Sequence, residues 1–397
     1  MKTATGFSLR PEAHLAVKEA LSMLSQRLNA PLSMVVVSCT VQHQVAEINR
    51  LLREALPGVP LFGCTSCSGI MTEDGHHLGE GWTLALLGLS DPAGAFGVAA
   101  ASLEQGAQQA GAEAVRQALL QADRPYELPG MVWLTTAPGH EEQVLQGILS
   151  ELGESARISG GSAADNDLSG QWAQFCQGQI YGQAAVTAVL FPSSEVVSIF
   201  QNGYEPNAHS AQITRAEGRC VHTLDGKPAA EVYNAWTGGL IQAELETAGP
   251  VHAITTLKPL GRQMGEIGGV PQYLLSLPER VTPEHGLTLL TEVQEGERLY
   301  LMEGQLETLV TRAGRVATGA LRAHNLTPQD LAGALIVFCY SSMLAIGPQM
   351  TGVAEAVRQA LGGKPFMGMF TFGEQGCFPN GRNHHGNLMI SITLLTV

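Results

Sequence analysis

The sequence predicts an α/β fold, with mixed sheets built from repeated strand–helix–strand units and packed face to face, helices outside. Two observations carry this expectation. The composition is globular, 45% hydrophobic against 15% charged. A unit of apolar strand, small or polar loop, amphipathic helix and second strand ending in Gly-rich sequence recurs three times.

The first copy runs MVVVSC (34–39), a helix around 45–56, then PLFGCTSCSG (60–69). The second is MVWLTTA (131–137), a helix around 141–153, and RISGGSAAD (157–165). The third is ALIVFCYSS (334–342), a helix around 352–363, and PFMGMFTFGEQG (365–376). Spacing predicts the helices: Val45, Ile48, Leu51, Leu52 and Leu56 fall on one face, as do Val353, Ala356, Val357 and Leu361. A strand–helix–strand unit of this length joins two parallel strands by a right-handed crossover. Further strands follow each unit: WTLALLGL with AFGVAAASL, QIYGQAAVTAVLF with VVSIFQNGY, and NLMISITLLTV. The pairs are close enough in sequence to form antiparallel hairpins, and two such sheets packed together is the expected architecture. Residues 210–330 read differently, with Lys227-Pro228 leading into a short helix, short strands, and the helix LETLVTRAGRVATGAL. The expected division is therefore 1–210, holding two repeats, and 211–397, holding the third.

A formal charge of −14 without a Lys/Arg cluster repels phosphate backbones and argues against nucleic-acid binding. The longest apolar runs, 184–191 and 332–340, are strand-sized, and MKTATGFSLRPEAH lacks the apolar core of a signal peptide. Together with an odd count of seven cysteines, these features predict a cytoplasmic protein without a membrane span.

Catalytic signatures are sparse. In LGGKPF the Gly-Lys pair is followed by Pro365 where a phosphate loop needs Ser or Thr, and GHEEQ (139–143) lacks the second His of a zinc-protease helix. Gly160-Gly161-Ser162 resembles a nucleophile elbow but leads into Asp165-Asn166-Asp167 rather than a helix, so the sequence predicts no enzyme. Cys64 and Cys67 form C-x-x-C after a strand, a spacing that can clamp a metal or make a redox pair. Cys39 and Cys339 end the first strands of copies one and three, and Cys377 follows the last strand of copy three. If those copies face one another, Cys64, Cys67, Cys339 and Cys377 converge on zinc or an iron–sulfur cluster; otherwise Cys39 and Cys339 are small buried hydrophobes. His384-His385 offers imidazole for haem iron or zinc, or alternatively orients its turn with Asn383 and Asn387. Glu374, at a buried strand end, needs a partner or marks a ligand pocket, and Asp165 with Asn166 stands at the matching end of copy two. Local capping is the alternative for both. His76-His77, beside Glu73 and Asp74, is expected at the surface.

Across essentially the whole length the chain resembles FIST proteins, which pair a FIST-N with a FIST-C module in bacterial sensors. The resemblance rests on the order of GCTSCSGIM (63–71), SGGSAADND (159–167), LDGKPAAEVYN (224–234), IVFCYSSM (336–343), PFMGMFTFGEQG (365–376) and NHHGNLMISITLL (383–395). It departs from the family pattern after Cys339, where Tyr340-Ser341-Ser342-Met343 carries no Arg. The ending HGNLMIS and the free-standing layout look like the nitric-oxide-sensing FIST haemoproteins of the NosP type. That resemblance implies a FIST-N-like domain over 1–210, a FIST-C-like domain over 211–397, haem as cofactor and a sensor histidine kinase as partner. His384, His385, Cys339, Glu374 and Asp165 would then line the cofactor site. A small-metabolite receptor, for instance for an amino acid, and a homo-oligomer remain open alternatives.

Overall fold

The computed structural model describes all residues except 79, 80 and 379, and the repeat organises it. Unit one comprises β1 (Lys2–Ser8), α1 (Ala13–Leu28), β2 (Met34–Cys39), α2 (Val45–Ala55), β3 (Leu61–Thr65), the hairpin β4 (Ile70–Thr72) with β5 (Gly75–His77), and β6 (Leu84–Ser90). Unit two repeats this order as β7 (Ala95–Ser102), α3 (Ala107–Gln121), β8 (Met131–Thr136), α4 (Glu141–Leu152), β9 (Ile158–Ser162), β10 (Gln174–Cys176), β11 (Gln179–Tyr181) and β12 (Ala184–Phe191). Unit three opens with β13 (Val196–Asn202) and is then interrupted by an insertion.

The insertion is a nine-stranded sheet of short strands: β14 (Glu205–Glu217), β15 (Cys220–Leu224), β16 (Lys227–Pro228), β17 (Gly249–Pro250), β18 (Leu260–Ile267), β19 (Val270–Ser276), β20 (Pro278–Val281), β21 (Leu287–Leu289) and β22 (Arg298–Glu303). It carries the short helices α5 (Ala229–Trp236), α6 (Gln242–Thr247) and α7 (His252–Thr255), the first directly after Lys227-Pro228. Unit three then resumes with α8 (Leu306–Ala323), β23 (Leu331–Cys339), α9 (Tyr340–Ile346), α10 (Met350–Ala360), β24 (Phe366–Thr371), β25 (Glu374–Cys377), β26 (Asn383–Gly386) and β27 (Met389–Thr396).

In each unit a helix crossover makes two strands parallel, as the spacing predicts: β2 with β3, β8 with β9, β23 with β24. The strand after the hairpin returns antiparallel to the first of the pair. The hairpins themselves are exchanged cyclically. β4–β5 extends the sheet of unit three, β10–β11 that of unit one, and β25–β26 that of unit two, giving orders β1-β6-β2-β3-β10-β11, β7-β12-β8-β9-β25-β26 and β13-β27-β23-β24-β4-β5.

Two expectations are corrected here. The body is built from three six-stranded sheets rather than two, and side chains from all three meet in one core that holds Phe62, Leu87, Trp133, Val186, Val337 and Met369. The adjacent strands β6 and β7 do not pair, nor do β12 and β13, because the chain passes from one sheet to the next between them. Three sheets around one axis cover each other's inner faces, while α1/α2, α3/α4 and α8/α10 cover the outer ones.

A ring of backbone hydrogen bonds closes the cycle. Ala164 N–H donates to the Thr65 carbonyl (3.1 Å), Phe372 N–H to that of Ser162 (3.1 Å), and Cys67 N–H to that of Phe370 (3.0 Å). Each donor lies two residues beyond the strand-end carbonyl of its own unit and reaches the strand end of another. Residues just past the parallel strands thus meet near the axis, which satisfies amides that burial would otherwise orphan.

Candidate functional site

A cluster of buried charge lies where unit two meets the insertion. Glu141 and Glu142 open α4, and Arg219, preceding β15, bridges them: its Nη2 lies 2.7 Å from Glu141 Oε2 and 2.6 Å from Glu142 Oε2. Acidic side chains suit the first turn of a helix, where free amides and the dipole favour negative charge. Glu141 is 2% exposed, so its remaining valences must be met internally. Oε1 accepts from Ser162 Oγ (2.7 Å) and Oε2 from Gly139 N–H (3.0 Å). Glu142 Oε1 accepts the Glu292 N–H (2.7 Å), a second bond to the insertion. Burial pushes the Glu141 carboxyl up, but His385 and Arg219 outweigh it and hold the group at about 2. Glu142 is lowered by the same balance.

His385 completes the network. Gln375 Nε2 lies 3.2 Å from its Nδ1, and its Nε2 faces the Leu290 carbonyl at 3.3 Å. Both ring nitrogens are therefore engaged. Among the described residues, Glu141, Glu142 and His385 are also the three side chains whose ligand atoms come close enough to hold a metal. The Arg219 guanidinium already sits on both carboxylates, however, and its positive charge opposes a cation in the same place. Ser162 donates to the Glu141 carboxylate and has the Gln375 amide on its other side (3.3 Å), with no imidazole at its hydroxyl among the described residues.

Beside this network a cleft of about 640 Å³ opens between α4, β26 and the insertion. Leu145, Leu149, Met264, Leu274 and Val293 form its apolar walls, and Arg262, Arg382 and His384 are among its polar lining. His384 Nε2 is buried and has no hydrogen-bond partner among the described residues, and neither has Arg262 Nε. Burial, then Arg262 and Arg382, lowers His384 to about 4, so the ring is neutral at pH 7. The Phe378 ring meets it edge-on at 5.7 Å.

The structure sets the remaining candidates apart from this cleft. The expected convergence of thiols does not occur: among the described residues no group of cysteines is close enough to share a metal. Cys64 points into the central three-sheet core, while Cys67 and Cys339 pack in the core of unit three. Cys377 is half-buried, its Sγ 3.4 Å from the Phe378 carbonyl. Cys39 and Cys339 are fully buried, as small hydrophobes are. Burial pushes the Cys64 and Cys67 thiols up to about 11, the reverse of a metal-ready or redox-active pair.

Glu374 has zero exposure and finds partners: Oε1 accepts from Thr371 Oγ1 (2.9 Å) and Oε2 from Met389 N–H (3.1 Å). Burial raises its pKa well above the usual carboxylate range, which makes it a neutral acid beside Cys339. Asp165 caps its own loop, accepting amides of Leu168, Gly170 and Gln171 at 2.6–2.8 Å, and Asn166 Oδ1 accepts the Ser68 amide at 2.7 Å. His76 and His77 are not at the surface. His77 stacks on Phe7 at 3.9 Å and bonds Thr72, while Glu73 and Asp74 pair with Arg27. The sequence reading missed Glu141, Glu142, Arg219, Arg262 and Arg382. The one available signal was the acidic pair in GHEEQ, which was weighed only against a zinc motif.

The geometry defines an α/β protein with a cleft between a cyclic body and an inserted sheet. The chain matches the family profile described as FIST N domain over residues 33–227 and that described as FIST C domain over 229–377. It belongs to the FIST family, whose domains are signal-transduction sensor domains. An uncharacterized protein of Methanocaldococcus jannaschii is 28% identical over 188 residues, covering 46% of this chain and 35% of that protein. The chain thus spans about a third of that relative's length. Among solved structures, a cyanuric acid hydrolase from A. caulinodans is similar with a TM-score of 0.42 and 9% identity, covering 100% of this chain and 99% of that one. PurLQS from Thermotoga maritima has a TM-score of 0.22, also at 9% identity, covering 100% and 72%. No described helix is long and apolar enough to cross a membrane.

Proposed function

We propose that this chain is a cytoplasmic sensor that holds haem in the cleft between α4, β26 and the insertion, and that it regulates a partner histidine kinase in response to nitric oxide. The observation that carries the haem reading is His384, a neutral imidazole that lines a cavity of about 640 Å³ and whose Nε2 has no hydrogen-bond partner among the described residues. That volume lies within the range of cofactor sites, roughly 300–1,000 Å³. The residues fit the group. His384 offers the axial nitrogen, the leucine and methionine walls suit a flat apolar ring, and Arg382 suits its carboxylates, Arg262 being held by Glu297 at 3.2 Å. Bound haem would supply an iron able to take up a diatomic gas. His384 is preferred to His385 as the ligand, since both nitrogens of His385 have hydrogen-bond partners.

The remaining steps belong to the protein. The cleft has one wall on the cyclic body and the other on the insertion, and Arg219 and Glu142 tie the two walls together. Occupancy that alters this wall-to-wall fit changes how the insertion sits on the body, and a kinase can read that change. The test is titration of the purified chain with hemin, followed by its absorption spectrum. One equivalent should bind, with a Soret band that shifts on adding nitric oxide, and His384→Ala should lose the band while His385→Gln keeps it. A chain that takes up no haem, or a His384→Ala variant that binds it equally well, would overturn the proposal.

A further inference from the structure

A separate groove of about 530 Å³ lies at the carboxyl end of β2, where the chain turns into α2. His43, Ala46, Asn166, Trp172 and Tyr181 are among its lining. α2 runs for 11 residues, and no side chain caps its first amides. Such an end carries free N–H groups and partial positive charge, which attract anions. The second observation is His43. It is 4% exposed, lines the groove, and neither ring nitrogen has a hydrogen-bond partner among the described residues. A buried, unsatisfied imidazole carries a desolvation penalty that a ligand atom would relieve. Burial lowers its pKa to about 4, so at pH 7 the ring is neutral and offers one N–H.

The internal repeat shows what belongs at such a place. Counting from the aligned strand ends Cys39 and Thr136, His43 matches His140 and Gln44 matches Glu141. In unit two the Glu141 carboxylate occupies the helix start and accepts the Gly139 amide at 3.0 Å. Unit one has the exposed, neutral Gln44 there, and the acid of its first turn, Glu47, is paired with Arg50 at 2.6 Å. The acid on the rim, Asp167, is turned into its own loop, accepting Ser169 N–H at 3.2 Å. Opposite the helix start stand two half-buried aromatic side chains. Trp172 is fixed by its Nε1 bond to the Gly182 carbonyl (3.1 Å), and Tyr181 by its hydroxyl bond to Gln179 (2.8 Å).

We propose that this groove is a second ligand site, for a small aromatic carboxylate, with the carboxylate at the α2 amides and His43 and the ring against Trp172 and Tyr181. The site shares no residue with the His384 cleft, so its test does not depend on haem. Titration of the full chain with phenylacetate at pH 7, read by calorimetry or saturation-transfer NMR, gives saturable binding with a Kd of about 10 mM or tighter. Phenylacetamide, the same ring without the charge, binds at least about tenfold more weakly. Gln44→Glu puts a carboxylate beside the uncapped amides of α2, at an exposed position where it does not lower the unfolding midpoint. It weakens phenylacetate about tenfold or more. His43→Leu does the same, and His384→Ala has no effect. No saturation by about 10 mM, or binding indifferent to the amide or to Gln44→Glu, overturns the assignment.

Discussion

Arg219 Nη2 lies 2.7 Å from Glu141 Oε2, and both side chains are largely withdrawn from solvent, at 22% and 3% exposure. With the Arg219–Glu142 pair this contact joins the cyclic body to the insertion, and its value lies in compensation more than attraction. Removing one partner of a buried pair leaves the other unpaired at a cost of about 3–5 kcal/mol. Arg219→Met should lower stability by about that amount in urea denaturation at pH 7. Adding Glu141→Gln should return part of the loss, because the stranded charge is gone.

The pH dependence of the same contact follows from Glu141, held at about 2 in the folded chain against 4.5 for a free side chain. A carboxyl depressed on folding contributes stability that is complete above its unfolded value and lost as pH falls through the folded one. Stability should therefore fall between about pH 4.5 and pH 2, and this limb should flatten in Arg219→Met. Denaturant midpoints measured across that window check it.

Glu374 gives the opposite sign. Its carboxyl is raised on folding by burial, so its contribution is complete below the unfolded value and declines as pH rises above it. The repeat supplies the natural comparison. Gln174 occupies the matching position on β10 and accepts Ala184 N–H at 3.3 Å, as Glu374 accepts Met389 N–H at 3.1 Å. Glu374→Gln should be near neutral at pH 4.5 and increasingly stabilising above it, by up to about 1.4 kcal/mol per pH unit. A stability difference that does not grow between pH 5 and pH 8 would contradict the neutral acid.

The thiols test how the fold disposes of its cysteines. Cys39, Cys64, Cys67, Cys176 and Cys339 are buried, whereas Cys220 and Cys377 are half-buried. A thiol-specific colorimetric reagent at pH 8 should modify those two in the native chain and all seven after denaturation. Cys67→Ser should leave metal content unchanged.

Local order was legible in the chain, and distant pairing was not. The Val45, Ile48 and Leu52 spacing marks α2, and apolar runs such as MVVVSC mark strands buried on both faces. The exchange of hairpins depends on sheet edges hundreds of residues apart, as where β4 pairs with β24, and no local pattern encodes it. For the same reason Cys64 and Cys67 read as one motif. The strand ends at Thr65, so one thiol enters the central core and the other passes beneath unit three. His384 was legible with His385 as a candidate because imidazole is a normal ligand for haem iron and zinc. Its cleft was not, since Arg262 and Leu145 reach it from other elements. Arg219 and Glu141 are 78 positions apart, and only the fold makes them partners.

The close approach of β8 and β9 carries the last prediction. A Cβ on Gly160 would sit 2.0 Å from the Leu134 carbonyl oxygen, a backbone atom that cannot turn aside. Gly160→Ala must therefore push the parallel strands apart, at a cost of about 1–3 kcal/mol or more. Gly319 is the contrasting case: it lies exposed on α8 with nothing within 4 Å of its added Cβ. Gly319→Ala should stabilise the chain by about 0.5–1 kcal/mol, because only the flexibility of the unfolded state is lost. The effect of Gly160→Ala should also spread along β9 to Ser162, whose carbonyl accepts the Phe372 amide and whose hydroxyl meets Glu141. Hydrogen exchange at Phe372 should then accelerate in Gly160→Ala and slow or stay constant in Gly319→Ala. Equal exchange at Phe372 in the two variants would mean that the ring of strand ends does not act as a unit.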